Sequence, residues 1–138
     1  MRNILIVDDE PYVRTALRRV LLGSGNSVVT AANAEEGLQQ LRQGAADLAI
    51  VDIIIPGLDG VELIAQIRSQ FPNVRVIAMT GGGNFGLSEY LPDTIITHAY
   101  LEAAKKAGAQ GVLFKPFETQ QLRDLIERVA APAPAEAH

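Results

Sequence analysis

The sequence predicts an open, doubly wound α/β domain, a parallel five-stranded sheet with helices on both faces, and two observations predict it. Short Val/Ile/Leu-rich runs at Ile4 to Val7, Val28 to Ala31, Leu48 to Val51, Val74 to Met79 and Val112 to Phe114 alternate with stretches whose apolar residues recur at helical spacing. Near-continuous apolar runs read as strands buried on both faces, and their alternation with helices implies right-handed crossovers onto a covered parallel sheet. The second observation is the charge just past those runs: Asp8 and Asp9 after the first, Asp52 after the third, Lys115 after the fifth. The carboxyl ends of the strands form the ligand-binding edge of such a sheet, so these charges are expected to converge there.

The elements follow in order. A first helix from about Pro11 to Leu22 starts with a proline where no hydrogen bond is lost, turns Val13, Ala16, Leu17, Val20 and Leu21 inward, and ends at Gly23. The second is capped by Asn33, with Glu36 three residues on as reciprocal partner, and stops before Gly44. The third runs from about Gly60 to Ser69, with Val61, Ile64, Ala65 and Ile67 available for burial, Asp59 as cap, and Gly57 and Gly60 shaping the turn. The last runs from about Thr119 to Ala130 and buries Leu122, Leu125, Ile126 and Val129.

Thirty-four residues separate Thr80 from Lys115. One helix of about a dozen residues with loops of about 2 to 6 would need roughly 16 to 24. The surplus reads as an insert over about 81–93, opening on the flexible Gly81-Gly82-Gly83-Asn84-Phe85-Gly86. Asp93 then caps a fourth helix from about Thr94 to Lys106, and Gly108 follows it. The glycine triplet lacks the spacing of a phosphate-cradling loop. The domain is expected to occupy 1–130. The tail, 131–138, is rich in Ala and Pro, cannot continue a helix, and reads as a disordered end or a linker stub.

With 138 residues, 48% hydrophobic content and a net charge of -4, the chain fits one globular domain with a proper core and is a poor direct ligand for nucleic acid. It has no Cys, so disulfides and thiolate metal sites are excluded, and its two histidines, His98 and His138, do not make a His-based metal site. The N-terminus, Met1 to Asp9, does not read as a signal peptide, and no apolar run reaches membrane-spanning length. The expected location is the cytoplasm.

Three carboxylates brought to one sheet edge repel one another, an arrangement that a cation or a shifted protonation relieves. A metal-assisted phosphoryl site is the leading reading. For Asp8 and Asp9 alone, a helix-start preference set by the dipole is the bland alternative.

Four elements in order, Val-Asp-Asp-Glu after the first strand, Val-Asp-Ile-Ile-Ile-Pro-Gly-Leu-Asp-Gly after the third, Met-Thr-Gly after the fourth and Phe-Lys-Pro-Phe after the fifth, resemble the receiver domain of two-component response regulators over about Arg2 to Val129. The resemblance implies a flavodoxin-like fold with strand order 2-1-3-4-5, which puts Asp9 beside Asp52. It implies Asp52 as the acceptor of a phosphoryl group from a sensor histidine kinase or a histidine phosphotransfer protein. It further implies a Mg2+ ion held by Asp9, Asp52 and the Ile54 backbone carbonyl, with Asp8 acting through water. Such a hard-oxygen set suits Mg2+. Lys115 would supply a point charge and Thr80 a hydroxyl that senses the phosphoryl group, and Lys115-Pro116 resembles the family's cis peptide. The face made by the fourth helix, fifth strand and fifth helix would then change its preference for a downstream protein target or for a second copy.

Two departures from the family pattern stand out. Val112 occupies the position where many receivers carry an aromatic, leaving Phe85, Tyr90 or Tyr100 as substitutes by placement, and the insert enlarges the loop after Thr80. Arg14, Arg18 and Arg19 form a basic stretch on the first helix, a solvated face or a contact for the phosphodonor. A second reading is a pseudo-receiver, an interaction module that keeps the fold without phosphorylation. A third, a hydrolase with an aspartyl-phosphate intermediate, needs an acid/base carboxylate two residues after Asp52, where Ile54 stands. The protein is therefore expected not to be an enzyme beyond its own phosphotransfer and dephosphorylation.

Overall fold

The computed structural model describes residues 2–44, 46–53, 60–81, 93–115 and 117–130, with the backbone alone for 93–98 and 100. Ten elements alternate along the chain: β1 (Asn3–Val7), α1 (Pro11–Gly23), β2 (Ser27–Ala31), α2 (Ala34–Arg42), β3 (Leu48–Asp52), α3 (Gly60–Gln70), β4 (Arg75–Gly81), α4 (Asp93–Ala107), β5 (Gly111–Lys115) and α5 (Thr119–Ala130). The strands form one sheet in the order β2-β1-β3-β4-β5, every neighbouring pair parallel. The order turns back at β1 and β3, and the crevice of such a fold lies outside the strand ends at that point.

The strands carry two alternating sets of apolar side chains because neighbouring residues point to opposite faces. Ile4, Ile6, Leu48, Ile50, Ile77, Met79 and Leu113 pack against Leu17 and Leu21 of α1 and Leu122, Leu125, Ile126 and Val129 of α5. On the other face Leu5, Val7, Ala49, Val51, Val76 and Ala78 pack against Leu38 and Leu41 of α2, Leu63, Ile64 and Ile67 of α3 and Ala104 of α4. Among the described residues the sheet is thus covered on both faces.

Local chemistry sets most helix boundaries. The Asn33 side chain accepts from the Glu36 N–H at 2.9 Å, and the Glu36 carboxylate reaches back to the Ala32 N–H at 2.8 Å, one residue earlier than in a standard capping box. Helix α1 ends where the sequence places its end. Gly23 is its last residue, and the reversal falls at Gly25, whose φ of 88° suits glycine and whose N–H bonds to the Leu22 carbonyl at 3.0 Å. Ala16 and Ala65, expected inward, are exposed, whereas Leu63 is fully buried in the stripe Gly60, Leu63, Ile64 and Ile67 of α3. Asp93 is the first residue of α4 rather than the residue before it.

Several expectations fall outside the described residues: the insert between Gly81 and Asp93, the turn from Ile54 to Asp59 with its cap, the Pro116 peptide, the tail 131–138, and the side chains of Phe85, Tyr90, His98 and Tyr100. Among the described residues no helix is long and apolar enough to cross a membrane.

Candidate functional site

Four strand ends supply the site. In the β1–β3 register Val7 lies opposite Val51, so Asp8, one step on, stands level with Asp52 at the end of β3. Asp9, expected beside Asp52, is one residue further out and exposed, with a carboxylate oxygen within 4.8 Å of one of Asp52, while Asp8 is fully buried. Thr80, also fully buried, is one position beyond Met79, the β4 partner of Asp52, and it pairs in turn with Phe114 of β5, next to Lys115.

These placements bring the charges together. One carboxylate oxygen from each of Asp8, Asp9 and Asp52 lies within 4.8 Å of the others. Lys115 Nζ donates to Asp8 Oδ2 at 3.1 Å and to Asp52 Oδ2 at 3.3 Å, and lies 3.7 Å from Glu10 Oε1. Burial works against the Lys115 ammonium, but the charges of Asp52 and Asp8 and their hydrogen bonds outweigh it and lift its pKa above the ordinary 10.5.

The loop from β1 to α1 is itself braced. Asp8 Oδ1 accepts the Glu10 N–H at 2.9 Å, the Asp8 N–H donates to the Ala31 carbonyl at 3.1 Å, and Arg14 Nη1 donates to the Asp8 carbonyl at 2.6 Å. Arg14, read from the sequence as surface or donor contact, therefore holds the acidic loop from behind. Arg18 and Arg19 are exposed. On the other side, α3 begins hard against the strand carrying Asp52. The Gly60 N–H donates to the Ile53 carbonyl at 3.2 Å, and a Cβ at Gly60 would collide with the Asp52 carbonyl oxygen and the Ile53 Cα.

Two residues of the site had no role in the sequence reading. Glu10 contacts Lys115, and the Tyr12 hydroxyl donates to Glu10 Oε2 at 2.8 Å, a bond that raises the phenol pKa above 10.0. Their only sequence signal is position: Glu10 follows the acidic pair and Tyr12 lies two residues on.

Chemically, a cluster of hard oxygens with one fixed ammonium fits a small divalent cation and an anionic group bound together. Val112, at the position where an aromatic was expected from the resemblance, is a half-buried side chain on β5.

The family model of the response regulator receiver domain matches residues 4–127. The chain is 35% identical over 128 residues to the response regulator protein FleR of Pseudomonas aeruginosa, an alignment covering 93% of this chain and 24% of FleR. It is 30% identical to sporulation initiation phosphotransferase F of Bacillus subtilis, with 91% of each chain covered. Among solved structures it is similar to the response regulator protein TrrA of Thermotoga maritima in complex with Mg(2+)-BeF, with a TM-score of 0.72, 29% identity, and 94% of this chain and 99% of that one covered.

Proposed function

The chain belongs to the response regulator receiver family, and from that premise we propose that it takes a phosphoryl group onto Asp52 from the phosphohistidine of a sensor histidine kinase or a histidine phosphotransfer protein, and thereby changes the protein partners it binds. The observation that carries this reading is the convergence of Asp8, Asp9 and Asp52 around Lys115 at one sheet edge.

A carboxylate oxygen of Asp52 attacks the donor phosphorus in line. The bond from phosphorus to the imidazole nitrogen breaks, its electron pair stays on the imidazole, and an acyl phosphate forms on Asp52. The transferring group spreads its charge over the equatorial oxygens, so the chain's task is positioning and neutralisation. Lys115 does this from the β5 side. Asp9 and Asp52 would hold Mg2+ directly, and a Mg2+ bound there supplies further neutralising charge. Their hard oxygen donors suit it, and the Mg(2+)-BeF complex of TrrA supports the assignment. Asp8, whose two oxygens already accept from Glu10 N–H and Lys115, acts through water. The Ile54 carbonyl, the remaining ligand of this reading, lies outside the described residues.

A phosphoryl group adds about -2 of charge beside Thr80. Its buried hydroxyl is the sensor, and the change passes from the end of β4 toward the surface of α4, β5 and α5, where a downstream target or a second copy binds. Val112 gives no aromatic relay. The protein turns over no outside substrate, and on this reading it works in the cytoplasm, beside the kinase that phosphorylates it.

The test is incubation with Mg2+ and acetyl phosphate followed by intact mass measurement. One phosphoryl addition is expected, lost in Asp52→Asn. No addition with acetyl phosphate or phosphoramidate would leave an interaction module that keeps the fold without the chemistry.

A further inference from the structure

Among the described residues, Glu10 is the one acidic residue at the site to which phosphoryl acceptance assigns nothing. It is the residue before α1, yet its side chain makes no capping bond. Its carboxylate is stretched between two other groups: Oε2 accepts from the Tyr12 hydroxyl at 2.8 Å, and Oε1 lies 3.7 Å from Lys115 Nζ. Of the three carboxylates that Lys115 meets, Glu10 alone stands at the rim, its side chain 44% exposed against 0% for Asp8 and 8% for Asp52. Tyr12 lies open to solvent at 70% exposure, and still its hydroxyl is committed to Glu10.

We propose that Glu10, held by the Tyr12 hydroxyl, is a positioning residue of this site, drawing the Lys115 ammonium toward the loop between β1 and α1 and setting a negative charge at the rim that favours the cation and slows the arrival of an anionic phosphodonor. The role in donor arrival rests on the reading of Asp52 as phosphoacceptor; the role toward the cation does not.

A rim carboxylate acts with opposite sign on the two ligands. Removing it weakens Mg2+ binding, directly and because Lys115 then settles more fully on Asp8 and Asp52, while it lowers the repulsion met by a dianionic donor. Structural damage to the loop would instead impair both. The opposed signs are therefore the signature of the charge.

Glu10→Gln removes the charge and keeps both the length of the side chain and an acceptor for Tyr12. At low ionic strength the Mg2+ dissociation constant is expected to rise about threefold, and the rate of phosphorylation by acetyl phosphate at saturating Mg2+ to rise by about the same factor, both differences shrinking as salt is added. Tyr12→Phe, which releases Glu10, should give the same pair of shifts at smaller size and add nothing in the Glu10→Gln background. An unchanged Mg2+ affinity, or a fall in metal affinity and rate together, would overturn the proposal. If no variant and no parent protein takes up a phosphoryl group, the phosphoacceptor reading falls alone, and the Mg2+ titration still decides on Glu10.

Discussion

Lys115 Nζ reaches Asp8 Oδ2 at 3.1 Å, from the end of β5 to the end of β1, across a sheet in which β3 and β4 lie between those two strands. The side chain thus closes the ligand edge from one end and serves as counter-charge to a fully buried carboxylate.

Removing that ammonium should cost stability. Lys115→Met leaves Asp8 buried beside Asp52 with less compensating charge, and the expected loss is roughly 2–4 kcal/mol in a urea unfolding measurement without metal. Added Mg2+ should return part of it, since a cation in the cluster is a second source of positive charge. Equal stability of parent and variant without metal would show that Asp8 is compensated by other means.

The same contact sets a pH dependence. The pKa of Lys115 is raised in the folded protein despite burial, because Asp52 and Asp8 favour its charged form. A group whose folded pKa lies above its unfolded value contributes stability that is complete below the unfolded pKa and is lost as pH rises through the folded one. The parent should therefore lose stability relative to Lys115→Met as pH climbs from about 10 into the range above the ordinary lysine value of 10.5. Urea midpoints of the two proteins, compared from neutral to strongly alkaline pH, check this; a constant gap across the range would contradict it.

The sheet and its edge were legible in the sequence because they rest on local signals. Near-continuous apolar runs, the Asn33 and Glu36 cap, and the stripe Leu122, Leu125, Ile126 and Val129 each act within a few residues. What escaped depended on phase or on distance. Alanine is apolar but buries little, so Ala16 and Ala65 read as core from composition while the helix phase turns them outward and brings Leu63 inward. That Asp8 stands level with Asp52 follows from the β1–β3 register, which no local pattern states. The parts played by Glu10, Tyr12 and Arg14 emerge only when the β1 loop meets Lys115 and the start of α1 folds back on the Asp8 carbonyl.

Gly60 offers a sharper test of how Asp52, the proposed phosphoacceptor, is held. A methyl group there would run into the Asp52 carbonyl oxygen and the Ile53 backbone, neither of which can rotate away as a flexible side chain could. Gly60→Ala is expected to cost roughly 2–4 kcal/mol by displacing the end of β3 or the start of α3. Phosphorylation of the folded fraction should slow as well, because Asp52 moves with its own carbonyl. An alanine variant with parental thermal stability and parental phosphorylation rate would mean that the approach of α3 to this strand is looser than the structure has it.

Mg2+ itself should report on the acidic cluster through stability. An ion that binds only the folded protein stabilises it by about 2.7 kcal/mol at a hundred times its dissociation constant, which for a domain of this size is roughly 9 °C in Tm. Asp9 is the exposed member of the three carboxylates, so Asp9→Asn removes repulsion among them without emptying a buried position. The variant should melt at or slightly above the parental temperature in the absence of metal, and the rise on adding Mg2+ should largely disappear. Because its metal-free stability is preserved, loss of the Mg2+ effect in this variant would trace to ligation rather than to damage. A Mg2+ shift equal to that of the parent would put the ion somewhere other than between Asp9 and Asp52, and the metal assignment would fail with it.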